Sequence, residues 1–69
     1  MSDNLTVSKH EVAHDMHQHG GSFLHMLALA WYAADDDNRY LIETMWNREW
    51  RQHAVMAQKR KEARNGHHG

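Results

Sequence analysis

The stretch GSFLHMLALAWYAADDD, residues 21–37, decides the fold. Ser22 is placed to cap a helix from Phe23 to Ala34, and Asp35 is placed to cap the next one. Around the first of these helices Phe23, Leu24, Met26, Leu27, Leu29, Trp31 and Tyr32 point in nearly every direction, and His25 is its only clearly polar interior residue. A helix that is apolar all round has to be covered all round. The run falls far short of the roughly 20 residues that a membrane span needs, so the cover must be protein.

Toward the C-terminus, Asp36 and Asp37 put negative charge on the positive end of the next helix. From there no glycine or proline interrupts the chain as far as Asn65, and Gly66 is positioned as a stop. Leu41, Ile42, Met45, Trp46, Trp50, His53, Met56 and Ala57 recur at three- and four-residue steps and form one stripe, with Tyr40, Thr44, Asn47, Arg51 and Gln58 on the other side. The pattern predicts an all-α fold: a helical hairpin in which a long amphipathic helix folds back on the short apolar one. At roughly 29 residues, about 43 Å, the long helix overshoots a partner of about 18 Å. Its far half and the uncovered faces of the apolar helix therefore predict a homodimer, with Phe23, Leu27, Trp31, Ile42 and Met45 as hairpin or dimer core.

Toward the N-terminus, Ser8 and Glu11 have the spacing of a capping box, which predicts a short helix from Lys9 to about His19, ended by Gly20-Gly21. Met1 to Val7 carry little periodicity and read as a frayed arm. The expected organisation is an N-terminal arm with a possible short histidine-rich helix over 1–20, a hairpin domain over 21–65 and a flexible tail over 66–69.

At 69 residues the chain forms one domain at most. A chain of this size buries only about 60% of its unfolded surface and normally needs a staple. It has no cysteine, so histidine-held metal or self-association are the staples left. The absence of cysteine and of a recognisable signal peptide predicts a soluble, cytoplasmic protein. The formal charge of -1 hides a basic run, Lys59-Arg60-Lys61-Glu62-Ala63-Arg64. That run fits a solvated helix end complementing the C-terminal dipole better than a nucleic-acid surface, which would show a broad positive face. A small DNA-binding accessory role stays as an alternative.

His10-Glu11-Val12-Ala13-His14 matches H-E-x-x-H, the zincin pattern in which two histidines one turn apart bind zinc and the glutamate activates water. His17 continues that face and makes a weak third candidate ligand beside His10 and His14. Eight histidines make a chance match unsurprising, Glu11 is already half of a capping box, and nothing nearby predicts a substrate cleft. The expectation is a chain that is not an enzyme and requires no cofactor, with histidine-dependent metal binding as the other alternative.

The aromatic residues are more informative. Tyr32, Tyr40, Trp46 and Trp50 fall at or beside the hairpin turn and along the long helix, interleaved with Arg39, Arg48 and Arg51. Tyrosine, tryptophan and arginine are the residue types that most often dominate protein interfaces. Tyr40 lies on the polar side by helical phase, between Arg39 and Glu43. These considerations nominate Tyr40, Trp46, Trp50, Arg51, Arg39 and Glu43 as partner contacts.

Gly21-Ser22-Phe23, then Leu27-Ala28-Leu29-Ala30-Trp31, then Ala34-Asp35 with Asn38 resemble a pattern found in small phage and prophage proteins, over about residues 21–50. Within that group the chain looks like the quorum-sensing anti-activators of temperate phages infecting pseudomonads. The resemblance implies a dimeric helical hairpin in the host cytoplasm that binds the DNA-binding domain of a LuxR-type transcription regulator and the type IV pilus assembly ATPase. It implies no particular contact residues, and the histidine-rich stretch lies outside it.

Overall fold

The computed structural model describes residues 6–65, and among them the chain is all helix: α1 Lys9–His19, α2 Gly21–Ala33, α3 Asp36–Met45 and α4 Asn47–Asn65. The part of the expected frayed arm over Met1–Leu5 and the expected flexible tail over 66–69 lie outside the described residues. The capping box forms as expected. The backbone N–H of Glu11 donates to Ser8 Oγ at 3.1 Å, and that of Ser8 donates to Glu11 Oε1 at 2.7 Å. Asp35 caps α3 by accepting from the Asn38 N–H at 2.9 Å.

The α1–α2 joint is tighter than expected. Gly20 alone separates the two helices and Ser22 makes no cap bond, because α2 already starts at Gly21. A Cβ on Gly20 would lie 2.5 Å from the Met16 carbonyl oxygen and 2.6 Å from Leu24 Cβ, so only glycine allows this close approach. Gly21 has φ +79°, a conformation that side-chain-bearing residues rarely adopt.

The predicted single long helix is not there. The chain bends at Trp46, with φ -114° and ψ 44°, and splits into α3 and α4. No glycine or proline marks the bend; packing explains it. α3 lies against α2, whereas α4 lies against α1. A straight rod would have run past the end of α2 into solvent, and the bend lays its second half on α1 instead. The overshoot that pointed to a second subunit is thereby met within the chain.

The histidine-rich helix is consequently part of the core and not an arm. Val12 and Met16, one turn apart on α1, pack with Leu27 and Ala28 of α2 and Ala54 of α4. Ala13, Ala28, Ala54 and Ala57 are all buried, and small residues at a helix contact allow close axes. Trp31 and Met16 are the largest fully buried side chains, each contributing on the order of 2–3 kcal/mol by burial. Thr6 and Val7 do not fray. The Thr6 N–H donates to Gln58 Oε1 at 2.8 Å, and Val7 packs on the core.

Of the five expected core residues, Leu27 and Trp31 are buried and Ile42 is half-buried. Phe23 and Met45 are 58% and 71% exposed, so neither belongs to the core of a single chain. No helix among the described residues is long and apolar enough to cross a membrane.

Candidate partner-binding surface

α3 presents Tyr40 at 65% exposure, on the polar side that its helical phase predicts. The ring stands between two clefts. The first, about 350 Å³, is lined by Lys9, His10, Trp31, Asp36 and Arg39 along with Tyr40 and Glu43. The second, about 390 Å³, also includes Lys9, Tyr40 and Glu43 and continues to Thr44, Asn47, Trp50 and Arg51. Five of the six nominated contacts thus lie along one surface: Arg39, Tyr40, Glu43, Trp50 and Arg51. The sixth, Trp46, is elsewhere, half-buried with its ring 5.9 Å from that of Phe23.

Two of the five also hold the fold together. The Arg39 guanidinium lies 4.1 Å over the Trp31 ring and donates from Nε to the Trp31 carbonyl at 2.9 Å and from Nη2 to the Tyr32 carbonyl at 3.1 Å. It pairs the Tyr32 carbonyl at the end of α2 and adds a second donor to the Trp31 carbonyl, which already accepts the Ala34 N–H at 3.2 Å. Glu43 accepts from the buried indole N–H of Trp31 at 2.9 Å and pairs with Lys9 at 3.2 Å, tying α1, α2 and α3 together. Trp50 is half-buried against Trp31, with ring centroids 5.6 Å apart. Tyr40 and Arg51 are the exposed members of the set. The surface is therefore an exposed tyrosine on a rigid base of arginine, carboxylate and indole.

A second exposed region lies on the same hairpin. Phe23 and Met26 of α2, with Leu41 and Met45 of α3, are all more than half exposed. Leu41 and Met45 were expected to face inward on the long stripe. Once the helix is broken at Trp46, Ile42 and Trp46 supply the inward contact of α3 and those two side chains face outward.

A buried carboxylate that joins two helices had no local signal in the sequence. Asp15 of α1 is 3% exposed, accepts from His53 Nδ1 at 2.6 Å and from Arg60 Nε at 2.7 Å, and so joins α1 to α4. Burial works against its charged form, but the bonds from Arg60 and His53 outweigh it and hold the carboxyl below its ordinary range. The chain separations of 38 and 45 residues explain why no spacing rule finds these pairs.

Two of the three candidate metal-ligating histidines pack against other rings, and the third, His14, is exposed. His10 packs edge-on against Trp31 with ring centroids 5.0 Å apart, and His17 stacks on His25 at 4.2 Å. The Ser8 N–H first, and Lys61 further, lower the pKa of Glu11, which makes its carboxylate a weaker proton acceptor. Among the described residues no group of three or more histidine or acidic side chains is placed to hold a metal ion. In the basic run, Arg60 and Lys61 already face Asp15 and Glu11. No family model matches this chain, and no curated protein or solved structure shows significant similarity to it.

Proposed function

We propose that the protein acts by binding: it covers a functional surface of another protein stoichiometrically and performs no catalysis. The observation that carries this reading is Tyr40, a large aromatic standing 65% exposed between two clefts whose walls are fixed by the Arg39 and Glu43 bonds. A rigid aromatic anchor loses little side-chain entropy on binding, and truncating such an anchor typically costs 2 kcal/mol or more, about thirtyfold in affinity. The exposed apolar side chains Phe23 and Met26 of α2 and Leu41 and Met45 of α3 support pairing of two copies through the hairpin, since burying them against a second copy removes apolar surface from water.

The resemblance over residues 21–50 nominates the first targets: the DNA-binding domain of a LuxR-type regulator and the type IV pilus assembly ATPase. In that setting the protein would be an early phage product in the host cytoplasm, keeping the regulator off DNA and the ATPase off the pilus. Calorimetric titration of each purified target with the native chain and with Tyr40→Ala tests the proposal. The expected result is binding to at least one target, weakened about thirtyfold or more by Tyr40→Ala with unchanged helical circular dichroism. Equal affinity of the two chains for a target would remove Tyr40 from the contact.

A further inference from the structure

A cleft of about 480 Å³ lies between α1 and α4, away from Tyr40. Its walls carry His10, His14 and His19 from α1 and Arg60, Lys61 and Arg64 from α4. Two carboxylates also line it, Glu11 and Asp15, and both are already occupied. Glu11 accepts the Ser8 N–H and pairs with Lys61 at 3.7 Å; Asp15 is buried under His53 and Arg60. Three permanent cations against two carboxylates leave the cleft positive even with every imidazole neutral. Arg60 uses only Nε on Asp15, and its side chain is 45% exposed. Tyr32 of α2 lines the cleft as well, adding a hydroxyl. The donors are therefore many and the free acceptors few.

The histidines that read as metal ligands in the sequence thus sit among arginines and a lysine. With three cations against two carboxylates that are already bonded, the net field of the cleft repels a metal cation and attracts an anion. We infer that the α1–α4 cleft is a binding site for a small doubly charged oxyanion, a phosphate group either free or carried on a small-molecule monoester. Guanidinium groups match the geometry of such oxygens, and the cleft has room for one such group. Imidazole is the side chain that as a class gains charge between pH 8 and pH 5. A site built partly from imidazoles holds an anion more tightly as the medium is acidified. The site is independent of the Tyr40 surface, with which it shares only His10.

Sulfate is the first probe because its charge does not change over this pH range. The full chain is titrated at low ionic strength and followed by NMR of the histidine and arginine side chains, at pH 7.5 and pH 5.5. Inorganic phosphate and a simple alkyl phosphate are run in parallel to separate a free ion from a monoester. Saturable shifts confined to His14, Arg60 and Arg64 are expected, tightening about tenfold at the lower pH. The variant His14→Gln with Arg64→Ser, both at exposed positions, should keep its helical circular dichroism and lose about tenfold in affinity. Shifts that never saturate, or that spread equally to Arg48 and Lys59, would overturn the site. So would an unchanged affinity in the double variant, or duplex DNA displacing sulfate at far lower concentration, which would mark a nucleic-acid surface instead.

Discussion

The two sides of this small molecule invert the usual arrangement of a globular protein. Between α1 and α4 a carboxylate, an imidazole and part of a guanidinium are packed away from water. On the outer side of the α2–α3 hairpin a phenylalanine, a leucine and two methionines face it. A buried charge demands specific partners at fixed distances, which Asp15 finds in His53 and Arg60. Exposed apolar groups make no such demand and remain available to another surface. The contrast separates what holds the fold from what is left for a partner, and substitutions at five positions probe it.

Trp31→Ala carries the largest expected effect. Its ring is 1% exposed and its N–H, carbonyl and face are engaged by Glu43 and Arg39, so truncation should cost about 3–5 kcal/mol. A chain of this length has little more stability than that in total. Loss of the helical circular dichroism signal at 25 °C is expected, and a cooperative melt near the native one would show that the core lies elsewhere.

Asp15→Ala follows, at about 3 kcal/mol, because it strips two partners of a shared buried acceptor. The native pair also sets the response to acid. Asp15 titrates below its unfolded value in the folded chain, so its stabilisation is complete above the ordinary carboxylate range, near pH 4. It is lost as pH falls through the lower, folded value. Urea melts between pH 6 and pH 2 should show a steeper acid loss in the native chain than in Asp15→Asn; parallel curves would contradict the role assigned to this group.

Gly20→Ala should cost about 1–3 kcal/mol, since the new methyl meets the Met16 carbonyl and Leu24 at once. Thermal melts measure it directly, and an unchanged midpoint would mean that the joint gives way easily. The smallest change in stability is expected from Phe23→Ser with Met45→Ser, within about 0.5 kcal/mol per site. That pair should instead shift the sedimentation coefficient toward the monomer. A native chain that already sediments as a monomer at high micromolar concentration would leave the apolar side without a second copy to cover it.

What could be read in advance divides along the same line. The Ser8–Glu11 box and the Asp35 cap depend on residues a few positions apart, and local hydrogen bonding decides them. Tyr40 was legible because helical phase alone places it outside. The bend at Trp46 was not, because neither the residue nor its neighbours break helices; it follows from where α1 lies. His53 was placed on the inward stripe and is buried there, but its bond to Asp15 was not legible, for a related reason. Each has the phase of a core position, but their partnership exists only after two distant helices meet. Phe23 and Met45 read as core because apolar character marks a wish for burial, without saying whether the same chain grants it.

The one-residue joint at Gly20 fixes the rotational setting of α1 relative to α2. No loop is present to absorb an extra residue, so an insertion at this point would change both the rotation and the offset of α1 relative to α2. Asp15 would swing out of line with His53 although every side chain in the protein was retained. The register of the whole assembly is thus indexed by chain length at one position, which makes a deletion or insertion there more damaging than most substitutions anywhere on the surface.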